Sequence, residues 1–421
     1  MNMVFNHGIH RIHGMIVSLV LLFGVAVSAV AAEPGITVEA RQRYPWNGLV
    51  DLKFTITGES GTKYDTSFTA KDMVGGTNIA MKTIRKSDGT TAAEKEKLLP
   101  GTYNWIWDAA ADFPNDFKCE RMTVIGNVEQ SQGLYMVIDL SSGANSSKYP
   151  VSYLDAVPSG GWSDEYKTTK LVLRKIEAGS FMMGSPSGEI GRYSDEVQHR
   201  VTLTKDFYIG IYEITQKQYT LITGKTPCGS SSYGKGDSYP VHYVSYNDLR
   251  GSTKGSQWPT SDVVDETSFA GVLRIKTGIY SFDLPTEAQW EYACRSGTTG
   301  TYAGTGDIAT MAWYSDNAGG KSHPVGGKSQ NQWGLFDMHG NVQEWTRDWF
   351  NNRVTSVAVT DPAPDNSYAE GCRVRRGGSW YDSANCCRSA DRQHNSVADA
   401  WNSFPSHTAR FLGFRISVTL P

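Results

Sequence analysis

The residues best suited to bind a metal ion lie in one short stretch near the C-terminus. Asp337 and Glu344 place carboxylate oxygens at the two ends of a glycine-containing turn, and the carbonyls of Gly340 and Val342 lie between them. Carboxylates mixed with backbone carbonyls are the hard oxygen ligands that calcium prefers. The pattern therefore predicts a calcium site. The alternative is that Asp337 caps a turn and Glu344 pairs with an arginine: Arg375, Arg376 or Arg388.

Six cysteines are the other reactive groups of the chain. They form no Cys-x-x-Cys pair and have no histidine at zinc-ligand spacing, which argues against a structural zinc site. In an oxidising compartment such cysteines form disulfides in preference to free thiols. The six are Cys119, Cys228, Cys294, Cys372, Cys386 and Cys387.

An export signal is predicted at the N-terminus. His10, Arg11 and His13 precede an apolar run at 15–30, and small residues at 29–32 precede Glu33. A charged head, a short apolar segment and a small-residue cleavage site are typical of a secretory signal peptide. We therefore expect residues 1–32 to be removed and the mature protein, without a membrane span, to be secreted or periplasmic. The alternative is an N-terminal membrane anchor, because the apolar run is slightly long for a signal.

Length and composition predict more than one domain and argue against a nucleic-acid-binding protein. A chain of 421 residues, 39% of them hydrophobic, is long enough for two or three domains. The net charge of -3 provides no basic surface for a nucleic acid. The 43 glycines, 12 tryptophans and 21 tyrosines are typical of a loop-rich fold in which aromatic side chains do much of the packing.

Residues 33–130 are predicted to form a small all-β sandwich domain. Strand-like runs with period-two alternation, such as 50–56 and 103–107, are separated by turn signals. Because no catalytic constellation is present there, we interpret this domain as an immunoglobulin-like adhesive or spacer module. Residues 131–169 follow as a lead-in segment packed against the second domain, which covers 170–421.

The second domain carries a series of family motifs. They are Leu-Pro-Thr-Glu-Ala-Gln-Trp-Glu-Tyr-Ala-Cys at 284–294, Gly-Asn-Val-Gln-Glu-Trp at 340–345, Arg-Gly-Gly-Ser-Trp at 376–380, Cys-Arg-Ser-Ala-Asp-Arg at 387–392 and Gly-Phe-Arg-Ile at 413–416. Together they resemble the formylglycine-generating enzyme family, also called sulfatase-modifying factor domains. The resemblance implies an α+β fold that is compact, loop-rich and related to C-type lectins.

Two Thr-x-x-Gln sequences in this domain predict helix N-termini. Thr215 with Gln218, and Thr286 with Gln289, have the spacing of a capping box. Glycines follow at 224 and 297, where each helix is expected to end. The sequence therefore predicts two main helices that start at these points.

The resemblance implies an oxidase chemistry for which the required thiols are missing here. In the enzymes of the family, two cysteines after the Gly-Gly-Ser-aromatic turn bind copper and oxidise a substrate cysteine with dioxygen. Thiolates are needed because they select Cu(I). In this chain Asp382 stands at the first cysteine position, and 379–385 contains no cysteine. We therefore predict that copper is absent; a relocated copper site at Cys386 and Cys387 is the alternative.

The resemblance also implies structural roles for the other cysteines and supports the calcium site. In the enzymes, the helix that here ends at Cys294 is bonded to the strand carrying the Arg-Ser-Ala motif, which implies a Cys294–Cys387 disulfide. A Cys372–Cys386 bridge is a second expectation. One calcium site of the family matches four positions of this chain: Asp337, Gly340, Val342 and Glu344.

We interpret the chain as an exported, calcium-stabilised binding or accessory protein whose partner is an unidentified protein or glycan. Loops on a rigid scaffold carry recognition, and we expect the ligand-facing surface at 381–385 and 393–410. The competing interpretations are an oxidase that makes formylglycine or a related product, and a lectin-like display protein. The expected ligand-facing residues are Ser379, Tyr381, Asp382, Asn385, His394 and Asn395.

Overall fold

The computed structural model describes the chain from residue 34 onward, apart from 44–47, 59, 61, 75, 77, 114–121, 227–230, 305, 365–370 and 394–407. The expected signal peptide, Cys119, Cys228, His394 and Asn395 therefore lie outside the described residues. The chain divides into two compact units, Met1–Gln132 and Gly133–Pro421. Within the described ranges, no helix combines the length and the apolar character needed to cross a membrane.

The first unit contains two β-sheets around one core. Its described strands are β1 (Gly35–Gln42), β2 (Leu49–Thr57), β3 (Tyr64–Asp72), β4 (Asn78–Ala80), β5 (Ile84–Arg85), β6 (Glu96–Leu98), β7 (Gly101–Asp108) and β8 (Met122–Gln130), and the short helix α1 (Ala109–Asp112) follows β7. One sheet has the order β1-β2-β7-β5, and in the other β3 pairs with β4, β6 and β8. Side chains of both sheets share one apolar cluster. The unit is thus almost entirely β, while its immunoglobulin-like assignment stays a prediction.

The second unit combines short strands with a few short helices. Its described strands are β9 (Tyr135–Asp139), β10 (Val151–Leu154), β11 (Lys170–Ile176), β12 (Gly179–Met183), β13 (His199–Leu203), β14 (Phe207–Gly210), β15 (Phe282–Asp283), β16 (Gln343–Trp349), β17 (Val359–Thr360), β18 (Arg373–Arg376), β19 (Leu412–Gly413) and β20 (Ser417–Thr419). Its α-helices are α2 (Gln216–Thr223), α3 (Tyr246–Arg250), α4 (Phe269–Thr277), α5 (Glu287–Arg295) and α6 (Ile308–Met311). Single 3-10 turns lie at Asp164–Lys167, Ser231–Tyr233, Gly255–Gln257 and Ala384–Cys387.

A six-stranded sheet in the order β10-β9-β11-β14-β20-β15 forms the centre of this unit. All of its pairings are antiparallel. Two three-stranded sheets, β12-β13-β17 and β18-β16-β19, accompany it. The lead-in segment 131–169 supplies β9 and β10, so it is part of the central sheet.

The central sheet is covered on both faces. Along β9, Met136 and Ile138 belong to one apolar core, and the alternate residues Tyr135 and Val137 belong to another. This follows from the two-residue period of a strand, which sends successive side chains to opposite faces. The first core takes side chains from α2, α3 and α4, and the second takes them from α5. The sheet-rich, mixed architecture with few helices agrees with the α+β expectation.

Both predicted helix starts are confirmed. Thr215 and Thr286 are the N-cap residues of α2 and α5, and each forms the full capping box with the glutamine three positions later. Gly224 ends α2 in the left-handed conformation, as expected. Helix α5 ends one position earlier than expected, because Ser296 takes the left-handed conformation, with a φ of 45°, before Gly297.

Candidate functional site

Two glycines form the tight turn after β18 that carries the Arg-Gly-Gly-Ser-Trp motif. Gly377 and Gly378 have φ angles of 89° and 69°, a conformation that residues with a Cβ rarely adopt. A Cβ at Gly378 would also lie 2.6 Å from the carbonyl oxygen of Cys386 and from the Sγ of Cys387. The turn therefore approaches the cysteine-bearing segment so closely that glycine is required.

Asp382, at the position expected for a catalytic thiol, is held by two neighbouring side chains. Its Oδ2 accepts hydrogen bonds from Ser379 Oγ at 2.6 Å and from Gln343 Nε2 at 2.8 Å. Both donors belong to buried residues, and Asp382 itself is half-buried. The backbone N–H of Ser315 also donates to the Asp382 carbonyl. The carboxylate thus connects the glycine turn to the beginning of β16.

The two adjacent cysteines are buried to different extents and are protonated at neutral pH. Cys387 is fully buried and clusters with Ala312 and Tyr314, whereas Cys386 is partly exposed and lies 3.9 Å from Ser383 Oγ. Burial raises the pKa of the Cys386 thiol to about 11 and that of Cys387 well above its ordinary value. Because the thiolate is the form that binds metals, these surroundings do not favour the relocated copper site.

The structure contradicts the expected Cys294–Cys387 disulfide, since both residues are free thiols. The imidazole of His339 contacts both cysteine residues. Its Nδ1 donates to the Cys387 carbonyl at 2.7 Å, while its Nε2 accepts from the Ala303 N–H and lies 3.7 Å from the Cys294 Sγ. Burial lowers the pKa of His339 to about 4, so the ring is neutral. The expected Cys372–Cys386 bridge is not formed either.

Glu344, one of the expected calcium ligands, is bound by a guanidinium. Arg415 donates from Nε to Oε2 and from Nη2 to Oε1, both at 2.7 Å, and Trp290 Nε1 donates to Oε2 at 2.7 Å. Arg415 also donates to the carbonyls of Gly210 and Phe336. Glu344 therefore forms the arginine ion pair that was the alternative to calcium binding. Its partner is Arg415 and not one of the three arginines expected from the sequence, Arg375, Arg376 and Arg388.

Asp337, the second expected carboxylate ligand, keeps one oxygen unpaired. Its Oδ2 accepts from the Gly326 N–H at 2.6 Å, while its buried Oδ1 has no hydrogen-bond partner in the part of the chain that is described. Burial raises the pKa of Asp337 to about 6. Gly340 follows with a φ of 76°, and a Cβ there would lie 2.2 Å from the Trp313 carbonyl oxygen.

A third carboxylate, Glu213, was not identified from the sequence. It is fully buried and accepts from the Asn341 Nδ2 at 2.6 Å and from the Val342 N–H at 2.9 Å. Burial, followed by the charges of Asp337 and Glu344, raises the pKa of Glu213 well above its ordinary value. The available signal was an acidic residue inside the apolar stretch 207–214. Three carboxylates therefore surround this turn.

An aromatic and cationic surface lies beside Asp382. The exposed Tyr381 ring stacks on Phe411 with centroids 5.8 Å apart. The Arg410 guanidinium lies 4.9 Å from the ring centroids of both Tyr381 and Tyr233, and its Nη1 donates to the Tyr233 hydroxyl at 3.2 Å. We call Tyr233, Tyr381, Arg410 and Phe411 the Tyr381 surface.

The expected ligand-facing residues divide into three groups. Tyr381 and Asn385 are exposed, and Asp382 is partly exposed. Ser379 was wrongly assigned to this surface, because it is fully buried with its hydroxyl bonded to Asp382. His394 and Asn395 fall outside the described residues. Sequence reasoning did not identify Tyr233, which precedes Tyr381 by more than a hundred positions.

Comparison with known proteins finds a matching family and several similar proteins. The family model "Sulfatase-modifying factor enzyme 1-like domain" matches residues 163–419. The chaperone protein LppX of Paenibacillus barcinonensis is 32% identical over 245 residues, which are 50% of this chain and 79% of that protein. The formylglycine-generating enzyme of Mus musculus is 26% identical over 291 residues, 59% of this chain and 75% of the enzyme. The structure of PvdO from Pseudomonas aeruginosa aligns at 28% identity with a TM-score of 0.48, covering 59% of this chain and 94% of PvdO.

Replacing Arg415 by glutamine is expected to destabilise the second unit strongly. The Arg415→Gln change leaves the buried Glu344 carboxylate without its cation, which typically lowers the free energy of unfolding by about 3 to 5 kcal/mol. Urea denaturation followed by tryptophan fluorescence measures this loss. Lys170→Gln is the matched control, because it removes an ion pair with the largely exposed Glu165 and should have little effect. Equal effects of the two changes would contradict the assignment.

Proposed function

The chain belongs to the sulfatase-modifying factor family, and within that family we propose that it is a non-catalytic binding or accessory protein. The observation that carries this proposal is Asp382. Its carboxylate is hydrogen-bonded by Ser379 and Gln343 at the position where the resembled enzymes have a copper-binding cysteine. A carboxylate is a poor ligand for Cu(I). The nearest thiols, Cys386 and Cys387, lie in surroundings that keep them protonated.

The Tyr381 surface is the proposed binding site for the protein or glycan ligand. Tyrosine and arginine are the residue types that most often dominate binding energy at interfaces, because they combine a large apolar area with hydrogen-bonding groups. Here Arg410 lies between two tyrosine rings, so its guanidinium is held in a fixed orientation. The similarity to a protein named as a chaperone, LppX, favours a protein partner over a glycan.

We further propose that the chain acts outside the cytoplasm. The support is the N-terminal sequence, with its charged head, apolar run and small residues at 29–32. The first unit would then serve as an immunoglobulin-like spacer, consistent with its two sheets and shared core. The competing function is formylglycine generation, which the similarity to the mouse enzyme favours.

Calcium is the proposed stabilising ion of the turn at 337–344. One feature of the described residues supports a cation: the buried Oδ1 of Asp337 has no hydrogen-bond partner. The positive charges near it are those of Arg415 and Lys167. The described residues contain no group of three acidic, histidine or cysteine side chains spaced to hold a metal, so backbone carbonyls would have to complete the site. Asp337 and Glu344 would hold the ion together with the carbonyls of Gly340 and Val342. The ion would contribute the positive charge that Glu213 and Asp337 need in order to ionise inside the protein.

Purified protein is expected not to convert a Cys-x-Pro-x-Arg peptide to formylglycine, with or without added copper. The reason is the carboxylate at position 382. Mass spectrometry of the peptide after incubation is the measurement, and the mouse formylglycine-generating enzyme under the same conditions is the positive control. Loss of the thiol and gain of an aldehyde on the peptide would overturn the non-catalytic assignment.

Tyr381→Ala is expected to weaken ligand binding by at least about tenfold, because truncation of a central aromatic residue commonly costs 2 kcal/mol or more. Binding of the full chain to an array of glycans and of extracellular proteins provides the measurement. Tyr280→Ala is the matched control, since Tyr280 is also exposed and lies in the same unit. A bound ligand whose affinity is unchanged by Tyr381→Ala would exclude this surface as the binding site.

Calcium is expected to raise the melting temperature of the second unit. At free calcium of about a hundred times its dissociation constant, the gain is roughly 2.7 kcal/mol. Asp337→Asn should remove the difference between calcium and chelator, whereas Asp316→Asn, at an exposed carboxylate elsewhere, should keep it. Glu344→Ala is a poorer probe because it also breaks the pair with Arg415. Identical melting curves in calcium and chelator would reject the ion without affecting the binding proposal.

A further inference from the structure

A cavity of about 640 Å³ lies in the second unit, away from the Tyr381 surface. It is bounded by β13, β17, the beginning of α5 and the segment 351–364. Its volume falls within the range of small-molecule sites, roughly 300 to 1,000 Å³. One wall is apolar and consists of Val354, Val357, Val359, Pro362, Ala363 and Pro364. The lining of this cavity contains none of the four described residues that were expected to face a ligand, which are Ser379, Tyr381, Asp382 and Asn385.

The lining also contains a histidine. His199 lines the cavity and is only 9% exposed. Its Nδ1 donates to the Val197 carbonyl at 2.8 Å, whereas its Nε2 makes no hydrogen bond with any residue the structure describes. The bond to a carbonyl requires a proton on Nδ1, and an imidazole with that single proton offers Nε2 as an acceptor. In that form His199 accepts a hydrogen bond from a ligand that supplies a donor.

Asp195, also in the lining, forms a long ion pair with a guanidinium that it shares with Glu287. The nearest guanidinium, Arg392, is committed to Glu287 through bonds of 2.6 and 2.8 Å, and its Nη1 lies 3.6 Å from the Asp195 Oδ2. The side chain of Asp195 is 14% exposed. Burial raises the pKa of Asp195, which indicates that the carboxylate lacks sufficient compensation for its charge.

Acidic side chains outnumber basic ones in the cavity lining. The carboxylates belong to Asp195, Glu196, Glu287, Glu291, Asp348 and Asp361, and the guanidiniums to Arg353 and Arg392. Arg388 alone pairs with three carboxylates, those of Glu189, Glu196 and Asp391. Asp348, also in the lining, accepts from two neutral donors, the Trp258 Nε1 at 2.9 Å and the Glu287 N–H at 2.6 Å, and the charge of Arg347 acts on it without a hydrogen bond among the described residues. A positively charged ligand is therefore favoured here, and an anion is disfavoured.

We propose that this cavity binds a primary amine carried on an apolar chain. The ammonium group donates to the Asp195 carboxylate and to the His199 Nε2, and the chain packs against the apolar wall at 354–364. A free alkylamine and the side chain of a lysine in a polypeptide share this chemistry. The site is independent of the Tyr381 surface and of the proposed calcium ion.

Isothermal titration calorimetry of the full chain with n-pentylamine tests the chemistry. Pentylamine is expected to bind, while 1-pentanol and pentanoate, which lack the cation, bind at least about tenfold more weakly, because a hydrogen bond to a charged group contributes about 1.5 to 3 kcal/mol. Nα-acetyl-lysine methylamide is the second probe. If Nα-acetyl-lysine methylamide binds more tightly than pentylamine, the natural occupant is a lysine side chain. If pentylamine binds more tightly, the natural occupant is a small amine.

Two variants locate the binding. Asp195→Asn should weaken pentylamine about tenfold by removing the charge while keeping the shape. Thr355→Trp, at an exposed position of the lining, should block the cavity without touching the ion pairs. Asp316→Asn is the control, and unchanged melting temperatures show that each variant is folded. No detectable binding of either amine, equal binding of pentanol, or wild-type affinity in Thr355→Trp would each overturn the proposal.

Discussion

The buried ion pair between Arg415 and Glu344 holds the centre of the second unit together. Glu344 lies on β16 and also accepts from Trp290 on α5, while Arg415 donates to carbonyls of Gly210 on β14 and of Phe336. Four distant segments are therefore connected through one guanidinium and one carboxylate. Each of these groups is costly to bury alone, so the segments are stable only in the arrangement that satisfies all of them together.

The turn that follows Asp337 depends on the same arrangement. Glu213 accepts from the Val342 N–H and the Asn341 side chain, which fixes the backbone just before Glu344. The next residue, Gln343, donates to Asp382. The Asp382 carboxylate thus connects the glycine turn to β16 through hydrogen bonds. A cysteine at this position would make weaker hydrogen bonds, because a thiol is a weak donor and a weak acceptor. The carboxylate at this position is therefore part of the local packing.

Local signals in the sequence predicted much of the second unit. The capping boxes at Thr215 and Thr286 specify helix starts by contacts within four residues, and the Arg-Gly-Gly-Ser-Trp motif marked the glycine turn. Strands β16 and β18 were not assigned from the sequence. Partners far apart in sequence were not predictable in this way. The pairing of Glu344 with Arg415, the presence of Glu213 beside the turn and the packing of Tyr233 against Arg410 depend on tertiary contacts across 71 to 177 positions. The disulfide expectation was also wrong: it rested on the family resemblance, and in this chain Cys294 and Cys387 are free thiols.

Strands β9 and β10 lie before residue 163, where the family match begins, yet they belong to the central sheet. Strand β9 pairs with β11 along the register from Lys170 to Arg174. A fragment cut at the family boundary would lose side chains from both cores and would leave the backbone N–H and C=O groups of β11 unpaired at a sheet edge. Such apolar edges recruit strands from other chains. A piece of this unit that keeps the edge of β11 paired therefore has to begin near Gly133, thirty residues before the family match begins.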